Sequence, residues 1–97
     1  MIRHTVLMKW TSEATREQQA AVAAELSALP AIVPSIRAYV LGADLGLVTG
    51  NFDFAVSADF DDEAGYLAYR SDPAHLDIIN RTINPVTAQR VAVQFTY

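Results

Sequence analysis

Both ends of this chain alternate with a period of two, and that pattern constrains the fold more than any other feature. Ile2, His4, Val6, Met8 and Trp10 fall on one side of the opening run, with Arg3, Thr5, Leu7 and Lys9 on the other. Such alternation marks a half-buried strand. Val91, Val93, Phe95 and Tyr97 repeat it in a last strand. Two further strands are expected between them. Ile36 to Leu45 forms one, with Gly42 as a bulge. Phe52, Phe54, Val56, Ala58 and Phe60 alternate with Asp53, Ala55, Ser57 and Asp59 in the other. The intervening Gly46–Asn51 turn makes this pair a hairpin.

Two helical segments separate the strands. Thr15-x-x-Gln18 has the form of a capping box, and Val22, Leu26 and Leu29 recur at helical spacing behind it. Pro30 and Pro34 are expected to close that helix. Asp61 or Asp62 caps a second segment through about Arg70, and Asp72-Pro73 restarts it to run to Asn84. Leu76, Ile79 and Ile83 form its apolar stripe. The order is β-α-β-β-α-β. That is the split βαβ pattern of an α+β, ferredoxin-like subunit, with both helices on one face of an antiparallel sheet.

Composition narrows the function. The chain has 97 residues, 52% hydrophobic and 19% charged, which suits one well-filled domain spanning residues 1–97. A net charge of −4 with seven scattered basic residues disfavours nucleic acid as a partner. Cysteine is absent, which removes disulfides and thiolate chemistry. No apolar signal core precedes the first strand, and no apolar run approaches the roughly 20 residues that span a bilayer. A soluble cytoplasmic protein without membrane contact is expected. No glycine-rich phosphate loop opens a helix, no two histidines or carboxylates stand at a chelating spacing, and neither cofactor nor metal is expected.

The candidate site is Tyr69-Arg70-Ser71-Asp72-Pro73-Ala74-His75, together with His4. The Asp72-Pro73 start places His75 at the positive end of a helix, where the imidazolium form is disfavoured. A neutral imidazole beside a phenol is suited to proton transfer near neutral pH. His4 shares its strand face with Val6 and Met8, the side expected beneath the helices. Tyr69, His75 and His4 therefore converge on one cavity, with Val6, Met8, Val22, Leu26, Leu76 and Ile79 as apolar walls that select a small aromatic or polyketide-like ligand. In this arrangement His75 is the base, Tyr69 polarises a carbonyl and His4 orients or shuttles. The alternative is that all three complete the packing of a non-catalytic subunit.

His4 to Trp10, Phe52-Asp53-Phe54, Tyr69-x-x-Asp72-Pro73-Ala74-His75 and the strand Val91 to Tyr97 together resemble the stress-responsive dimeric α/β-barrel (Dabb) family, essentially end to end. The resemblance implies a homodimeric α+β barrel, with the sheets of two copies packed together. It assigns Thr5, Leu7, Ala55, Ser57, Ala92 and Gln94 to the interface. It also implies cofactor-independent, aldol-type ring closure of the olivetolic acid cyclase kind, with the Tyr and His roles on Tyr69 and His75 and a supporting His at His4. That pattern has a histidine where this chain has Asp72 and a tyrosine where it has Leu26. A non-catalytic stress-response or scaffold dimer is the alternative, and a cofactor-independent monooxygenase is a third reading, by analogy with other enzymes of the dimeric barrel fold.

Overall fold

The structure is a computed structural model describing all of residues 1–97. Strand β1 (Ile2–Trp10) leads to helices α1 (Arg16–Ser27) and α2 (Leu29–Ile32), then to β2 (Ala38–Ala43) and β3 (Phe54–Phe60). Helices α3 (Glu63–Ser71) and α4 (Pro73–Ile78) follow, and β4 (Thr87–Thr96) closes the chain. The strands form one antiparallel sheet in the order β2-β3-β1-β4. This is the expected ferredoxin-like α+β architecture.

Local chemistry explains the element ends. Thr15 Oγ1 accepts from Gln18 N–H while the Gln18 side chain accepts from Thr15 N–H, which completes the capping box. Pro30, expected to close the first helix, instead sits in the first turn of α2, where its missing N–H leaves no bond unmade. Strand β2 is shorter than expected because Asp44 turns the chain outward, accepting from Gly46 N–H and from Asn51 Nδ2. Gly46 and Gly50 then take φ values of 74° and 93°, which side-chain-bearing residues rarely adopt. Gly42 is no bulge: it pairs in register with Ala55, and the irregularity lies between Lys9 and Trp10 against β4.

The last helical segment differs most from expectation. Asp72 caps it as expected, accepting from Ala74 N–H at 2.8 Å. Beyond Ile78 the helix widens into a π-helical turn over Ile79–Ile83 and tightens into a 3₁₀ turn over Asn84–Val86. Pro85, which has no N–H to give, lies in that final turn. With His75 turned inward, Ile78 and Ile79 follow it at helical spacing, and Leu76 is rotated away. Leu76 is accordingly 43% exposed, so its place in the expected stripe is corrected.

The core lies between the helices and one sheet face, with Val22, Leu26, Leu29, Val33, Phe60 and Ile83 almost wholly enclosed. The opposite sheet face has no helix over it. Register places Arg3, Thr5 and Leu7 there beside Phe95, Val93 and Val91, with Ser57, Ala55 and Val40 completing the face. Ala92 and Gln94 pair with Val6 and His4 and so lie on the helix side. The expected interface set was therefore one residue out of phase along β4. The smaller, more polar side of β4 faces the helices, and its apolar side faces outward.

One polar cluster interrupts that outer face. Asp59 is only 5% exposed and accepts from Arg3 Nε and Nη2 at 2.7 and 2.8 Å, and from the Tyr97 hydroxyl. Hydrogen bonding from Arg3 is the main cause holding its carboxyl down to about 2, from an ordinary value of 3.8. A carboxyl depressed in the folded state adds stability above its unfolded value and loses it as pH falls through its folded one. The melting temperature should therefore drop as pH is lowered from about 4 toward about 2. Asp59→Asn should melt lower at neutral pH and flatten that decline; an unchanged slope would show that the ion pair adds no stability.

Candidate functional site

A cavity of about 220 Å³ opens between the helices and the β1–β4 half of the sheet. Strand β1 contributes His4, Val6 and Met8; α3 contributes Tyr66, Tyr69 and Arg70; α4 contributes His75. Leu26, Tyr39, Val56, Ile79 and Ile83, with Arg90 to Ala92 of β4, complete its lining. Tyr69, His75 and His4 are thus brought to one cavity, with Val6, Met8, Leu26 and Ile79 among its walls. Val22 and Leu76 are not. Val22 is sealed in the core, and Leu76 faces outward.

His75 is 9% exposed and its ring lies against Tyr69, with centroids 4.1 Å apart and planes inclined by 33°. Its Nδ1 is 3.4 Å from the Arg70 carbonyl oxygen. A carbonyl only accepts, so Nδ1 carries the proton and Nε2 keeps its lone pair. His4 has the opposite arrangement. The Gln94 side-chain amide donates to His4 Nδ1 at 3.0 Å, which leaves the proton of the neutral ring on Nε2. One cavity therefore holds an imidazole that can accept a proton and an imidazole that can donate one.

Burial sustains both neutral forms. It lowers the pKa of each histidine below 6.5; the neighbouring His75 adds to the effect at His4, and the Arg90 charge adds to it at His75. The Tyr39 and Tyr69 hydroxyls are 3.1 Å apart, and burial raises both phenols above their ordinary range. One hydroxyl donates to the other, and the acceptor's own proton remains free for a ligand oxygen. Tyr66 packs its ring 4.9 Å from that of His4 and orients it.

Tyr39, Tyr66, Gln94 and Arg90 are site residues that sequence reasoning missed, and Arg70, inside the named run, had been given no role. Tyr66 carried a signal, standing three residues before Tyr69 on the same helix face. Gln94 becomes visible only through the pairing of β1 with β4. No group of three or more His, Cys, Asp or Glu side chains is arranged to hold a metal ion, and no helix is long and apolar enough to cross a membrane.

The profile of the stress responsive A/B barrel domain matches residues 2–97. The chain belongs to that family. Its fold is shared with a dimeric ferredoxin-like protein of unknown function from Thermobifida fusca YX, at 47% identity and a TM-score of 0.92 over 99% of this chain and 90% of the other. A hydroxynitrile lyase from Passiflora edulis superposes with a TM-score of 0.85 at 22% identity, over 97% of this chain and 90% of the other. An antibiotic biosynthesis monooxygenase does so with 0.82 at 17%, over 100% and 98%. No curated protein matches the sequence. Two proteins described as enzymes thus share this scaffold, and at these low identities the likeness concerns the fold alone.

Proposed function

We propose that this stress responsive A/B barrel protein is a homodimeric, cofactor-independent acid–base enzyme that forms or breaks a carbon–carbon bond next to a carbonyl, an aldol-type reaction. The observation that carries this reading is the pair of ring contacts in one apolar cavity, His75 Nδ1 to the Arg70 carbonyl and His4 Nδ1 to the Gln94 amide, which favour opposite neutral tautomers. His75 Nε2 takes an α-proton from the substrate, and the electron pair moves into the carbonyl as an enolate. The His4 Nε2–H and the free phenol proton of the Tyr39–Tyr69 pair are placed to donate to the developing oxyanion. The enolate carbon attacks a second carbonyl carbon, and the proton on His75 returns to the new alkoxide. Cavity size limits the substrate: at roughly 30 Å³ per water, the space equals about seven waters, enough for one substituted ring or a short polyketide-like chain.

The homodimer rests on the uncovered sheet face. Val40 and Val93 are 70% and 60% exposed there, with Leu7, Val91 and Phe95 beside them, an apolar expanse that isolated subunits rarely leave in water. The Thermobifida fusca relative, described as dimeric, supports packing these faces together about a two-fold axis.

Deuterium exchange tests the chemistry at its first step. In heavy water the protein should exchange the methyl protons of acetophenone above the buffer rate. Because only neutral His75 is a base, the rate should rise with pH through an apparent pKa below 6.5 and then level. Exchange indistinguishable from buffer at every pH would remove the acid–base reading and leave a non-catalytic dimer.

A further inference from the structure

The proposed reaction leaves the two arginines of the cavity unused. Arg70 ends α3 and Arg90 lies on β4 opposite Met8, on the helix side of the sheet. Both line the cavity and both are exposed, so they mark its mouth. Of the other four arginines, Arg3 pairs with Asp59, Arg37 with Asp61, and Arg81 with Glu25 and Asp77, while Arg16 stands at the start of α1, outside the cavity lining. The guanidinium groups of Arg70 and Arg90 have no hydrogen-bond or ion-pair partner. The one carboxylate acting on His75, that of Asp72, accepts the Ala74 N–H through Oδ1. Two free guanidiniums thus stand at the entrance of an apolar cavity in a protein whose net charge is −4.

We infer that the substrate is a small carboxylic acid, its carboxylate held between Arg70 and Arg90 at the mouth and its apolar carbonyl-bearing body inside against His75 and His4. This specifies the substrate class of the proposed acid–base reaction and rests on that reading. Guanidinium groups match a carboxylate geometrically, donating paired N–H bonds to its two oxygens. The placement has a chemical consequence. Arg90 disfavours the imidazolium form of His75, and a bound anion offsets that charge. The base therefore strengthens when substrate arrives and stays weak in the empty cavity.

The matched probes 4-acetylbenzoate and 4-acetylbenzamide differ in charge and hardly in size. Calorimetry on the intact protein should show the carboxylate binding about 100-fold tighter than the amide, at about tenfold per charge-assisted contact. Arg70→Gln and Arg90→Gln should each remove about tenfold of that preference, and the double variant should abolish it, the carboxylate losing far more affinity than the amide. Equal affinity for the two probes, binding of neither, or a preference surviving in the double variant would overturn the proposal. Methyl-proton exchange measured on the same samples separates the two readings. Carboxylate preference without exchange removes the acid–base chemistry and keeps the anion site. Exchange of both probes at equal affinity does the reverse.

Discussion

His75→Ala should lower acetophenone proton exchange by about 10²–10⁴-fold, because no other group in the cavity has an unprotonated, uncharged nitrogen free to act. Nδ1 of His4 is occupied by Gln94, and the phenols are held protonated by burial. Alanine also leaves a gap beside Tyr69, so a loss of packing must be separated from a loss of chemistry. His75→Gln keeps much of the volume and a group able to donate to the Arg70 carbonyl, but supplies no base. It should be equally slow while melting close to wild type. Recovery of the rate by added imidazole in the alanine variant, and not in the glutamine variant, would locate the lost function in the ring nitrogen. Near-wild-type exchange in both variants would exclude His75 as the base.

A charge at Val93 should have the largest effect on assembly. Val93 lies mid-strand on the uncovered face, beside Val91 and Phe95 and opposite Thr5. In a two-fold dimer Val93→Asp places one carboxylate from each copy in the same apolar layer, and each unpaired buried ion costs several kcal/mol. The dissociation constant should rise by more than about a thousandfold, read by sedimentation equilibrium. Thr96→Asp on the helix side of the same strand is the control and should stay dimeric. A dimeric Val93→Asp would place the interface elsewhere.

The fold was legible because β1, β3 and the end of β4 carry period-two patterns and the helices carry explicit start signals at Thr15, Asp62 and Asp72. The phase of β4 was not. The rule that apolar residues face a core assumes that the core belongs to the subunit, and Val91, Val93 and Phe95 turn away from the helices altogether. The same limit hid the site's polar partners. Gln94 reaches His4 across a pairing of strands ninety positions apart in sequence, and Tyr39 reaches Tyr69 from the edge strand β2. Tyr69, His75 and His4 could be placed together from topology, because β1 and the second helical pair bound the same layer. Which nitrogen of each histidine carries the proton required their hydrogen-bond partners.

Strand β4 speaks to two audiences at once. Arg90 and Ala92 line the cavity and Gln94 holds His4, whereas Val91, Val93 and Phe95 fall on the opposite face, residue by residue in turn. Point substitutions at the first set can retune what the cavity accepts without disturbing the second. A single-residue insertion or deletion exchanges the two vocabularies, turning an arginine toward the apolar layer and a valine toward the histidines. Descendants of this chain are free to vary the letters of β4 and are held to its length.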